Sequence, residues 1–183
     1  YEYRYNAVRK AYRWEMLQKI LIEASVIGDE FGYAVDIEGH TLVMSAPNFN
    51  GGKGATFIYK RMSTGQEFRL SQEIVPNMIS YPLQVGDMYG YSVAVMENYL
   101  VIGAPGRDAA ATHFGTTENP ADDSTGQVFV FYRPTSDYNF YFTQPLIPSN
   151  VKRNDRFGYA VDVKGTTIIA SSIEEFSGAL NEI

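Results

Sequence analysis

Cysteine is absent from all 183 residues. That excludes disulfides, thiolate nucleophiles and cysteine-ligated zinc, but not secretion, because large β-folds can be exported without disulfides. Histidine is nearly as scarce, with His40 and His113 the only two. A Ser-His-Asp triad would need one of them held by a carboxylate beside an oxyanion hole, and no Gly-x-Ser-x-Gly elbow occurs. There is no Asn-x-Ser/Thr sequon. No apolar run approaches the roughly 18–20 residues that span a membrane as a helix. Basic residues are outnumbered 15 to 21, for a net charge of −6. Nucleic acid and anionic membrane both need a basic face, so neither is expected as a partner.

What the chain does have is apolar and aromatic. Hydrophobic residues make up 45%, and 14 tyrosines and 11 phenylalanines favour pleated, half-buried surfaces. Self-similarity is visible once those aromatics are aligned. Gly28-Asp29-Glu30-Phe31-Gly32-Tyr33-Ala34-Val35 returns as Gly86-Asp87-Met88-Tyr89-Gly90-Tyr91-Ser92-Val93. It returns again as Asn154-Asp155-Arg156-Phe157-Gly158-Tyr159-Ala160-Val161. An apolar run follows each copy, ending at Ser45-Ala46-Pro47, Gly103-Ala104-Pro105 and Ser171-Ser172-Ile173. A second pattern keeps its own register. Gln18, Gln72 and Gln144 each follow an aromatic by 13 residues (Tyr5, Tyr59, Phe131) and another by four (Trp14, Phe68, Phe140).

Each unit reads as four strands. The first, expected near 31–37, 89–95 and 157–163, alternates with period two, Phe31, Tyr33, Val35 and Ile37 facing one way. Its hairpin carries a Gly or Asn able to take positive φ, at Glu38-Gly39, Glu97-Asn98 and Lys164-Gly165. The second strand is a continuous apolar run, as suits burial on both faces. The third follows Gly54, Gly126 and Gly178, and the fourth is the aromatic-x-x-x-Gln stretch. No stretch keeps a helical period, so helix is expected to be nearly absent. Repeated four-stranded antiparallel units indicate an all-β, partial β-propeller. The divisions expected are the second half of a blade over 1–27, whole blades over 28–85 and 86–153, and the first three strands of another over 154–183. Three blades cannot close a ring, so the chain is expected to be a piece of a larger propeller.

These motifs resemble the FG-GAP repeat of integrin alpha-subunit propellers, and more closely its shorter, calcium-free variety. The resemblance implies a propeller of typically seven blades used for adhesion or macromolecular recognition. Calcium-binding integrin blades carry an Asp-x-Asp-x-Asp-Gly loop between the first two strands. Here that place holds only Glu38-Gly39-His40, Glu97-Asn98 and Lys164-Gly165. Calcium wants six to eight oxygen ligands, which such turns cannot supply.

Asp29, Asp87 and Asp155 recur two residues before each leading aromatic. They suit acceptors of backbone N–H groups in the turn entering the inner strand. Asp36 and Asp162 stand on the small-residue face, but Ala94 replaces them in the middle copy, so they are not a required ligand set. Gly51-Gly52-Lys53-Gly54 lacks the Ser/Thr and helix of a P-loop and reads as a turn. The stripes Tyr33, Tyr91, Tyr159 and Phe57, Phe129 read as packing between blades. One segment breaks the repeat: 20 residues (106–125) separate Pro105 from Gly126, against six between Pro47 and Gly54. This acidic insert holds Arg107, Asp108, His113, Glu118, Asp122 and Asp123, the candidate partner-binding loop.

The chain is therefore expected to be a non-enzymatic binding or structural module without catalytic, cofactor or metal residues. Its expected partners are a protein or glycan, together with further blades of the same polypeptide or a neighbouring chain. The setting is extracellular or cell-surface, with an intracellular or ciliary assembly as the alternative. A propeller appended to an enzyme whose catalytic domain lies elsewhere is the rival from another class. Calcium titration is expected to leave the melting temperature unchanged. A rise of several degrees traced to Glu38 or Glu97 would overturn the argument from ligand count, whereas one traced to Asp122 and Asp123 would place a metal in the insert.

Overall fold

A computed structural model describes residues 1–22, 26–75, 82–108, 124–150 and 152–173. β1 (Glu2–Asn6) and β2 (Ala11–Glu15) form a two-stranded sheet. β3 (Val35–Glu38), β4 (Thr41–Ala46), β5 (Ala55–Lys60) and β6 (Arg69–Ile74) form a four-stranded meander. So do β7 (Ser92–Met96), β8 (Tyr99–Ala104), β9 (Gln127–Tyr132) and β10 (Tyr141–Leu146). β11 (Val161–Lys164) and β12 (Thr167–Ala170) make a second pair. All strand pairs are antiparallel. Among the described residues the only helix is α1 (Phe49–Gly52), a single turn interrupted by positive φ at Asn50 and Gly51.

The strands β3, β7 and β11 are neighbours about the inner edge, and the sheets stack face to face outward from them. Two interfaces hold most of the core. In one, Val43, Ile58 and Ile74 on the front of the β3–β6 blade pack against Leu100, Ile102, Phe129 and Phe131 on the back of the next. In the other, Val101 and Val128 meet Val163 and Ile168. Phe57 and Tyr59 repeat the arrangement one blade earlier, under Ile20 and Ile22. The expected interblade packing of Phe57 and Phe129 is therefore what the fold contains. At roughly 1.5–3 kcal/mol for each large apolar side chain removed from water, these layers are the main cohesive term. β8 is buried on both faces, as its continuous apolar run anticipates, whereas β4 is buried on one face and partly buried at Leu42 and Met44 on the other.

The inner strands are shorter than the period-two reading expects, beginning at Val35, Ser92 and Val161 rather than at the aromatic. Gly32, Gly90 and Gly158 have φ of +85°, +91° and +88°, which breaks the pleat immediately after Phe31, Tyr89 and Phe157. Those aromatics serve a different contact. Tyr89 and Phe157 form parallel bridges with Gly54 and Gly126, the glycines that open β5 and β9. A Cβ on Gly54 would lie 1.9 Å from the Tyr89 carbonyl oxygen, so only glycine allows this approach between blades. The hairpin centres also shift by one residue in two copies, to Gly39-His40 and Gly165-Thr166. In the middle copy Glu97, not Asn98, takes the positive φ (+50°).

Glutamine supplies a second link between blades. Gln18 donates to the Phe68 carbonyl (3.0 Å) and accepts from its N–H (2.8 Å). Gln72 does the same to Phe140, at 2.8 Å in both directions. The aromatic-x-x-x-Gln pattern is thus a relay, each glutamine clamping the backbone at the aromatic of the following blade. Asp36 reaches across the inner edge, accepting from the Val95 N–H at 2.7 Å. Glu2 of β1 meets Arg61 at 2.6 Å and accepts from the Gly65 N–H at 2.9 Å. The Arg4 guanidinium beside it, aided by these two groups, holds its carboxyl down at about 2.

Gln72→Ala should remove both halves of one clamp. A loss of about 1–3 kcal/mol is expected, read as a thermal midpoint lower by several degrees. An unchanged midpoint would mean the clamp is incidental. For Glu2, a depressed folded value means stabilisation fully present above the unfolded value near 4.5 and lost as pH falls through about 2. The protection of the β1 amides, their exchange rate taken relative to the intrinsic rate at each pH, should fall across that window in the native chain. In Glu2→Gln the protection should already be low at neutral pH and lack the acid step.

Candidate interaction face

Each meander exposes two rims. One carries the hairpins at 39–40, 97–98 and 165–166 together with the β5–β6 and β9–β10 loops. The other carries the β4–β5 and β8–β9 connections and the segments that lead into the inner strands.

On the second rim the three repeated aspartates do what their position suggests. Asp29, Asp87 and Asp155 are buried, and each carboxylate accepts the N–H three residues earlier: Val26 at 2.7 Å, Gln84 at 2.8 Å, Lys152 at 2.5 Å. Each aspartate N–H in turn donates to the carbonyl of that same residue. The result is a doubly closed turn that delivers the chain to the Gly-aromatic-Gly approach. The Gly51–Gly54 run is likewise a turn, its Gly52 carbonyl accepting from the N–H groups of Gly86 and Met88.

Arg107, at the start of the insert, spends its side chain internally. Its guanidinium lies 2.5 Å from Asp87, donates to Gln127 at 2.6 Å and to the Pro82 carbonyl at 3.3 Å, and sits over the Phe129 ring. Burial pushes the Asp87 carboxyl up, against the pull of the Gln84 N–H and of Arg107 on its anion. Asp108 accepts from the Ser124 N–H at 2.9 Å, while the Arg107 carbonyl accepts from Gly126 N–H at 2.8 Å and from Thr125 Oγ1 at 3.1 Å. The two ends of the insert are therefore stapled together at a neck. His113, Glu118, Asp122 and Asp123 lie outside the described residues.

Near the inner edge Tyr33, Tyr91 and Tyr159 form a ladder with ring centres 5.0 and 4.9 Å apart. They pack on one another across blades, as expected, and offer their neighbours edges more than a free stacking platform. The neighbouring Tyr91 phenol pushes the Tyr159 phenol up.

The first rim contains an open groove of about 1010 Å³ beside His40, Lys60, Arg61 and Arg69, continuing into a second of about 450 Å³ beside Glu97 and Arg133. His40 sits on the exposed hairpin beside both grooves. Among the described residues no cluster of three or more metal-ligating side chains occurs.

Two arginines went unnoticed in the sequence. Arg133 is buried, donating through Nε (3.1 Å) and Nη2 (2.9 Å) to the Glu97 carbonyl and through Nη1 (3.0 Å) to Thr41 of the preceding blade. It stacks 4.4 Å from the Phe140 ring centre, as Arg61 does 4.7 Å from Phe68. The signal was available, since each arginine stands seven residues before its aromatic.

The model of the FG-GAP repeat family matches residues 83–131. That interval contains β7, β8, all but the last residue of β9, and the whole 106–125 insert. No curated protein matches the chain. The chain is therefore an all-β run of antiparallel blades of a partial β-propeller, in which residues 83–131 are similar to the FG-GAP repeat.

Proposed function

We propose that this chain is a non-enzymatic binding or structural propeller module that recognises a protein or glycan at the cell surface or outside the cell, through the 106–125 insert. The observation carrying this reading is the stapled neck of that insert. Arg107, Asp108, Ser124, Thr125 and Gly126 close its base with hydrogen bonds, and Asp87 and Gln127 anchor it to the blade. A connection that only bridged two strands would need no more residues than the short one between β4 and β5. A long acidic excursion rising from a rigid base is how a scaffold presents a recognition loop. The FG-GAP match supports a binding or assembly role and an extracellular setting.

The test is a chain in which 109–123 are replaced by a short Gly-Ser linker. Because the neck lies outside the deletion, its thermal midpoint should stay within a few degrees of the parent. Binding of the fluorescently labelled protein to intact cells should fall at least about tenfold, equivalent to roughly 1.4 kcal/mol. Pretreating the cells with protease or with glycosidase separates a protein partner from a glycan. Undiminished binding by the deletion variant would remove the insert from the recognition surface.

A further inference from the structure

Tyrosine stands at the second aromatic position of all three copies, as Tyr33, Tyr91 and Tyr159. The leading position two residues earlier accepts Phe31, Tyr89 or Phe157, so a ring is enough there. At the second position every ring carries a hydroxyl, which packing alone does not require. Each of these tyrosines lies just before an inner strand, β3, β7 or β11, and β7 has both of the others as neighbours.

Ring centres are 5.0 Å apart between Tyr33 and Tyr91 and 4.9 Å between Tyr91 and Tyr159, with the planes tilted by 50° and 45°. Those spacings are at the short end of the roughly 4.5–7 Å range of aromatic pairs. The hydroxyl ends lie together as well as the ring bodies, since the Tyr91 phenol acts on that of Tyr159. Rotation about the bond to an aromatic ring is soft, so the ring edges can turn toward one another at little cost. Tyr33 is exposed and the other two are partly exposed, within reach of a small radical oxidant.

We propose that the ladder is a site of oxidative cross-linking, at which Tyr91 is joined carbon to carbon to Tyr33 or to Tyr159. Each phenol gives up one electron and its hydroxyl proton and becomes a phenoxyl radical. The two radicals couple through the carbons ortho to their oxygens. The hydrogens on those carbons then move to the oxygens, which restores both phenols. Two electrons and two protons leave in all, and hydrogen peroxide, the co-substrate of a haem peroxidase, takes them up to become two waters. Other tyrosines are also close: Tyr3 and Tyr5 lie 5.6 and 5.3 Å from Tyr12, and Tyr99 lies 5.4 Å from Tyr132. Coupling there would only join strands that already pair within one sheet. A bond through Tyr91 instead joins two blades. In a chain without cysteine it supplies the covalent link that a disulfide would otherwise make.

The test treats the dilute whole chain with a haem peroxidase and hydrogen peroxide. Dityrosine fluorescence should appear without the doubled chains of intermolecular coupling on a denaturing gel. Peptide mapping by mass spectrometry should join the Tyr91 peptide to that of Tyr33 or Tyr159, with the loss of two hydrogen atoms. The bond closes a loop between residues 58 (91 − 33) or 68 (159 − 91) apart, so the thermal midpoint should rise by several degrees. Tyr91→Phe keeps the packed ring but forms no phenoxyl radical. Untreated, it should melt close to the parent, and treatment should give neither the ladder bond nor the gain in midpoint. Tyr99→Phe removes a pair within one blade and should leave both intact. Links mapped only to Tyr12 or to Tyr99 and Tyr132, coupling only between chains, or no dityrosine at all would each overturn the proposal. An undiminished gain in midpoint by Tyr91→Phe would overturn it equally.

Discussion

Phe57 and Phe129 occupy the same place on β5 and β9, and each is buried in a layer shared between its own blade and the segment packed against it. A four-stranded blade is apolar on both faces, so it has no solvent side to offer and must be stacked. Stacking supplies most of the cohesion, because burial scales with apolar area at roughly 25 cal/mol per Å². Every other recurring feature adjusts the distance or angle at which one blade meets the next. Repeat architectures of this kind draw their stability from neighbour contacts more than from any single unit.

The close approaches depend on that stacking and also limit it. Gly54 and Gly126 let the backbone of Tyr89 and Phe157 lie directly on the preceding blade, where a side chain would collide. The buried aspartates Asp29, Asp87 and Asp155 shape the turns that lead into those contacts. Glutamine and arginine then work at the outer and lower rims, where water competes and a directional bond is more selective than an apolar contact. Small residues interchange without loss at the inner edge. The Ser45 hydroxyl accepts from the Ala34 N–H, and Ser171 does the same for Ala160. In the middle blade the serine moves to the inner strand, where Ser92 donates to the Gly158 carbonyl and Gly103 leaves room.

Arg107 belongs to the scaffold: charged and at the mouth of the longest connection, it reads as a surface contact in the sequence, yet it is 8% exposed and committed to Asp87 and Gln127.

Much of the scaffold could be read directly from the order of residues. Four-stranded antiparallel units, the buried second strand, the near absence of helix and the structural aspartates all follow from period and local chemistry, which act within a few residues. The relay role of Gln18 and Gln72 could be detected as a pattern but not understood, because its partner lies 50 or 68 residues away. The early start assigned to the inner strands failed for a related reason. Alternating Phe31, Tyr33 and Val35 satisfy a strand pattern, but the close approach of another blade bends the chain at Gly32, Gly90 and Gly158. Arg133 and Arg107 look like surface charges in the sequence, and only the packing of neighbouring blades turns them inward. What the sequence determined alone is the blade, whose alternation and turns are local. How blades meet, and which polar groups that meeting buries, was decided only in three dimensions, because those contacts join residues whose separation along the chain no local preference can register.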